Sequence, residues 1–195
     1  PGAAPYNDGN HVLFRKSDGN IFRSERVTGE GWNKQDYSTK LIGARAFWSG
    51  AEATGFDFSH DYRSPRDGDG HGSHTASTAA GNFGVPAQVE GIGFGEISGV
   101  APAAKIAAYK ACYVGPDVLD TADDICALSD LLAAIDQAVA DGVDVINYSI
   151  GGGSASTVLQ PEDVSFFNAA AEGVFVAVSA GNSGPDAVTA DHASP

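Results

Sequence analysis

The feature that most constrains this chain is a regular alternation of apolar patterns that begins after Lys105. Residues 106–109 read as a short strand. Ile125, Leu128, Leu132, Ile135 and Val139 then recur at alternating three- and four-residue steps, the mark of one apolar helix face. Asp124, Asp130, Asp136 and Gln137 lie off that stripe. Gly142 stands where a helix ends in the left-handed conformation that glycine adopts without strain. Val143, Val145 and Ile146 predict a buried strand. Pro161 favours the first turn of a second helix reaching Ala171, Gly173 ends it, and residues 174–178 predict another apolar strand. Strand, helix, strand, helix, strand makes two consecutive βαβ units, whose right-handed crossovers build a parallel sheet. The expected fold class is α/β, a parallel β-sheet flanked by helices. Ligands of such sheets bind outside the carboxyl ends of the strands. Two small, polar, glycine-rich segments fall there: Ser149-Ile150-Gly151-Gly152-Gly153 and Ser179-Ala180-Gly181-Asn182.

The first forty residues are of another kind. Asp18-Gly19-Asn20 separates two runs rich in β-formers, residues 11–16 and 21–27. Asp-Gly readily takes the positive φ of a tight turn, so a β-hairpin is expected. Arg15, Lys16, Arg23 and Arg26 make it locally positive, either as a docking surface or as charges that protect a sheet edge. Residues 57–72 are crowded with Gly and Asp and predict a loop. His71 to Ala80 reads as a helix of small side chains, which lets another backbone approach closely. Residues 84–99 read as a second glycine-rich loop. The expected organisation is a hairpin lead-in over 1–40 and one α/β unit over 41–195.

Composition removes several classes. Eleven Lys and Arg stand against 25 Asp and Glu, a net charge of −14, the opposite sign to a nucleic-acid-binding surface. No apolar run is long enough to span a membrane. The chain opens on Pro1 and contains no Met, so trimming from a longer product is expected. Cys112 and Cys126 are either a disulfide, stabilising by about 3 kcal/mol in the chain-entropy model, or two buried thiols.

Three chemical signatures are incomplete. Gly91-Ile92-Gly93-Phe94-Gly95 has Glu96 where a dinucleotide fingerprint needs its third glycine, so no nucleotide cofactor is predicted. Ser149 and Ser179 each carry Ser-x-Gly, but Asn147 and Ala177 replace the preceding glycine of a nucleophile elbow. His60, Asp61, Asp67, Asp69, His71 and His74 cluster in sequence and define the alternative of an acidic metal-binding domain. They lack a His-Glu-x-x-His spacing, and a metal needs three or four converging ligands. No metal is predicted.

A conjunction of four motifs is more specific. Asp69-Gly70-His71-Gly72-Ser73-His74-Thr75-Ala76-Ser77-Thr78, Gly99-Val100-Ala101-Pro102, Val145-Ile146-Asn147-Tyr148-Ser149-Ile150-Gly151-Gly152 and Val178-Ser179-Ala180-Gly181-Asn182-Ser183-Gly184-Pro185 occur in that order. Together they resemble the subtilisin-like serine proteases. Lys40-Leu41-Ile42-Gly43-Ala44-Arg45 and Ser64-Pro65-Arg66-Asp67 resemble the plant-type, cucumisin-like branch. The resemblance implies a three-layer α/β/α fold and hydrolysis of peptide bonds. It implies His71 as general base and Asn182 as the side-chain donor to the oxyanion. Ser149, Ile150 and Gly151 would pair with an extended peptide, and Ser179, Ala180 and Gly181 would line the pocket beside the scissile bond. The resemblance also implies a peptide or protein substrate and secretion. Calcium is not expected, although Asn82, Gln88 and Glu90 offer oxygen donors after the histidine helix.

In that family the triad runs Asp, His, Ser along the chain. No apolar-Asp-Ser/Thr-Gly context precedes His71, and no Gly-Thr-Ser-Met-Ala occurs. The expectation is a central piece of a catalytic domain, partnered by the remaining segments of the same protease. The alternative is a peptide-binding module that keeps the cleft without catalysis.

Overall fold

The computed structural model describes residues 4–151, 159–185 and 190. Its N-terminal part is a three-stranded antiparallel sheet of β1 (Tyr6–Asn7), β2 (His11–Arg15) and β3 (Ile21–Glu25). The β2–β3 hairpin turns at Asp18-Gly19-Asn20, with Gly19 at φ 91°. It docks on β4 (Leu41–Ala46) through a small core of Val12, Phe22 and Ile42. Two of its cations are engaged within the fold. Lys16 reaches Asp144 at 2.6 Å, and Arg26 donates to the Lys34 carbonyl while its guanidinium lies over the Tyr37 ring.

A short helix, α1 (Ser49–Ala53), is followed by the loop to α2 (His71–Ala80). Helix α2 begins and ends where its sequence predicts. The small side chains at its C-terminal end let residues 99–101 approach as backbone. Val100 and Ala101 donate to the Thr78 and Ala79 carbonyls at 3.0 and 2.9 Å, satisfying acceptors that a helix end leaves open. A β-carbon on Gly99 would run into the Gly81 backbone, and one on Gly81 into the Ser77 carbonyl.

The expected loop at 84–99 is instead a hairpin, β5 (Val85–Val89) and β6 (Ile92–Ile97). Glu90 and Gly91 form its two-residue turn, both with positive φ, at 50° and 79°. That conformation matches the twist of the flanking strands. Val85, Val89, Ile92 and Ile97 supply the β-formers, a signal that the glycine content masked.

Next come β7 (Ile106–Lys110), β8 (Cys112–Tyr113) and β9 (Ile125–Cys126). Cys112 and Cys126 form a disulfide across the β8–β9 pair. This corrects the start of the long helix. Ile125 follows the helical period but sits in β9, because its neighbour Cys126 is tied to Cys112. Helix α3 therefore runs over Leu128–Asp141, ending on Gly142 at φ 85°. It is followed by β10 (Val145–Tyr148), α4 (Pro161–Ala171) and β11 (Phe175–Val178). Pro161 opens α4, and Gln160 and Asp163 close a capping box.

The parallel pairings are β4 with β7 and β10 with β11. Among the described residues they remain two separate two-stranded sheets rather than one parallel sheet. A βαβ pattern fixes the direction and hand of two strands, and it does not make them neighbours. A common core nevertheless spans both pairs: Leu131, Ala134 and Ile135 of α3 pack with Ala111 and Tyr148, flanked by Tyr109, Ile146 and Phe166. The buried-strand expectation also needs correction. Tyr148 is buried, but Val145 and Phe175 are 59% and 68% exposed, since the described helices cover only one face of that pair.

One polar knot ties these layers together. The buried Asp141 of α3 accepts from Arg45 of β4 at 3.2 and 3.3 Å, from the Tyr109 hydroxyl at 2.9 Å and from Gln137 at 2.7 Å. Burial, first, and the Asp141 charge hold the Tyr109 phenol well above its ordinary pKa.

Candidate active site

The candidate site residues fall in two parts of the described structure. The first is the pair of strand ends at β10 and β11. Their register is Val145 with Phe175 through Tyr148 with Val178. The Ser179 N–H continues it by donating to the Tyr148 carbonyl at 3.1 Å. The ladder therefore brings the starts of the two polar segments, Ser149 and Ser179, to the same end of the strand pair. Ser149 is half-buried and its hydroxyl accepts from the Asn147 amide at 3.0 Å. Ile150 packs on the common core, while Gly151 and Ala180 are exposed. Gly181 takes φ 83°, and the exposed Asn182 follows it. Gly152 and Gly153 lie outside the described residues. Tyr148, beneath this surface, meets Phe166 edge to face at 4.9 Å. Burial raises its phenol pKa to about 12.

The second part is the start of α2. His71 is the first helical residue and is exposed, with Gly70 before it at φ 99°. Its own N–H donates to the Asp69 carboxylate at 2.9 Å. The Asp67 carboxylate organises the turn, accepting from the N–H groups of Asp69, Gly70 and Ser73 and from the Ser73 hydroxyl at 2.6 Å. Partial burial opposes ionisation of Asp67. The Ser73 hydroxyl and these N–H donors outweigh it and hold the carboxyl below its ordinary pKa. The hydrogen bonds of α2 run to residues 67–69 at its start and to 99–101 at its end. Among the described residues none of them reaches β10 or β11.

The sequence cluster considered for a metal does not converge. Asp61 is turned to Lys110 and to two backbone N–H groups, and Asp67 faces the α2 turn. Among the described residues no three His, Cys, Asp or Glu side chains are arranged to hold an ion. Gln88 is on β5 and Glu90 in its turn, both exposed, as is Asn82.

Sequence reasoning missed the Lys110–Asp61 pair. Its Nζ–Oδ1 distance is 2.5 Å and both side chains are nearly out of solvent. The signal was available: a lysine ending an otherwise apolar strand, five residues after Lys105, needs a buried partner.

Comparison with known proteins places the chain in a family. The model of the subtilase family matches residues 10–194, so the match includes most of the N-terminal hairpin sheet. The chain is 44% identical over 176 residues to subtilisin-like protease SBT1.3 of Arabidopsis thaliana, covering 89% of this chain and 21% of that protein. It is 48% identical over 154 residues to SBT2.5 and 46% over 157 residues to SBT5.4 of the same plant. Those matches cover 75% and 80% of this chain, and 18% and 20% of the relatives. The chain belongs to the subtilase family, a family of serine proteases, and is of its plant type. It spans about a fifth of the length of the curated relatives it matches. No helix among the described residues is long and apolar enough to cross a membrane.

Proposed function

We propose that residues 41–195 are the central part of the catalytic domain of a secreted serine endopeptidase that cleaves peptide bonds through an acyl-enzyme. The observation that supports this reading is the β10–β11 register, which starts both polar segments, one at Ser149 and one at Ser179, from the same end of the strand pair. Family membership supports the rest.

In this reading Ser149, Ile150 and Gly151 receive the substrate backbone as an added strand, and Ser179, Ala180 and Gly181 border the side chain before the scissile bond. His71 takes the proton from the nucleophilic serine hydroxyl as that oxygen attacks the carbonyl carbon, then returns it to the leaving amine. Asn182 donates its side-chain N–H to the developing oxyanion. The exposure of both side chains leaves them accessible to a peptide and to the other triad members, which the remaining segments of the protease supply. No cofactor takes part.

The test uses the full-length protein and a peptide substrate. His71→Ala is expected to abolish turnover while peptide binding persists. Asn182→Ala is expected to lower kcat by about 10²–10³ with KM little changed, a magnitude carried over from subtilisin, a member of the same family. Undiminished turnover in the His71 variant overturns the assignment. Peptide binding by the unaltered full-length protein with no turnover at all would favour the alternative, a binding module.

A further inference from the structure

We propose that Lys110 is a positioning residue for His71, fixing from the sheet the point at which the base-bearing helix begins. The inference rests on the reading of His71 as general base. It starts from how little α2 is held by its own side chains: of its ten residues only Ala80 is buried. Its C-terminal end is fastened by the backbone of residues 99–101, about two turns away from His71. Its first turn is fastened by Asp67. The position of His71 therefore depends on what holds the loop that ends in Asp67.

Lys110 holds that loop. It is the last residue of β7, a strand fixed by its parallel ladder to β4. Its side chain is 12% exposed. The ammonium donates to Asp61 Oδ1 at 2.5 Å, to the Tyr62 carbonyl at 3.2 Å and to the Arg66 carbonyl at 2.9 Å. Three donors meet three acceptors, which is the capacity of an ammonium group. Asp61 is fixed in turn by the N–H groups of Tyr62 and Val114 at 2.6 and 3.1 Å. Arg66 directly precedes Asp67. The chain of contacts thus runs from a sheet strand through one ammonium to Arg66, then through the Asp67 carboxylate to the first turn of α2. The ammonium also lies over the Tyr113 ring, 4.7 Å from its centre.

The geometry separates positioning from stability. Lys110→Met keeps the stem but leaves Asp61 buried without its counter-charge, so it is expected to destabilise the fold. The double variant Asp61→Asn/Lys110→Met removes both charges and is expected to recover much of the thermal midpoint lost in the single variant. It still leaves the Tyr62 and Arg66 carbonyls unheld. In the full-length protein, kcat per titrated active site is expected to stay roughly tenfold to a hundredfold down in the double variant, with KM within about twofold. Recovery of kcat together with stability would overturn the proposal, because a purely structural residue predicts that the two return together. Should the double variant not fold, Lys110→Arg decides. It retains the charge for Asp61, but a planar guanidinium cannot make the same three-way contact. A reduced kcat per active site is expected, and an unchanged one overturns the proposal. Turnover by His71→Ala would overturn the underlying reading instead, whatever the Lys110 variants do.

Discussion

Helices α2 and α3 are both well formed, yet opposite forces hold them. Helix α3 is placed by apolar burial: Leu131, Ala134, Ile135 and Ala138 lie in the core, and a polar knot at Asp141 fastens its far end. Helix α2 buries one alanine and is placed by hydrogen bonds at its two ends. Apolar packing tolerates small shifts, because contact area changes gradually with distance. Hydrogen bonds and ion pairs do not, because they weaken steeply with distance and angle. In the proposed reading of His71 as general base, this helix needs an exposed tip at a fixed place. Polar anchoring at both ends provides that without covering His71.

The contrast can be broken from either side. The largest effect is expected in α3: Ile135→Ala opens a cavity in the common core and should lower unfolding free energy by about 2–5 kcal/mol in urea titration. A value near zero would mean that α3 is not held by its apolar face. Replacing Cys112 and Cys126 together by Ser removes a closed loop beside the α3 start and should cost about 3 kcal/mol. The helical period would then be free to extend back through Ile125, which amide exchange at residues 125–127 would detect.

The polar side is probed by acid. The folded state holds the Asp67 carboxyl below its ordinary value near 3.8, so the unfolded chain binds the proton more readily. The stability contributed by Asp67 is present above that value and is lost as pH falls through the lower, folded one. Protection of the α2 amides should therefore fail at a higher pH than protection of α3. Asp67→Asn should remove that difference, and equal acid profiles in the unaltered protein would contradict it. The smallest effect is expected at the β5–β6 hairpin. Phe94 is 64% exposed, so Phe94→Ser should change stability by less than about 0.5 kcal/mol.

Much of this fold was legible along the chain because its signals are local. Gly19, Gly142 and Gly173 mark turns and helix ends by backbone conformation, and each is found with positive φ where the pattern placed it. The limits of α2 and α4 follow from capping residues, small side chains and a proline in the first turn. Local periodicity failed at Ile125, where a covalent tie outranks the helical repeat. It failed at 84–99, where glycine content hid alternating β-formers. The candidate site was legible as motifs, but its supports were not. Asp61 and Asp67 looked like possible metal ligands, because sequence proximity does not reveal which way a carboxylate turns.

The sequence by itself determined the alternation of α3, β10, α4 and β11, the parallel direction of β10 and β11, and the placing of two polar segments at their ends. Those properties depend on side-chain period and on residues with special backbone freedom, which need only near neighbours. The tertiary structure alone decided which strands became neighbours, which face of β10 and β11 stayed open, and what partner the lysine at the end of β7 would find. Those outcomes depend on groups thirty or more residues apart meeting within a few ångströms, as Val145 of β10 pairs with Phe175 of β11 and Lys110 meets Asp61 across a separation of 49 residues. No local rule encodes such a meeting, because the cost of burying either charge is offset only when the rest of the fold has already brought the other to it.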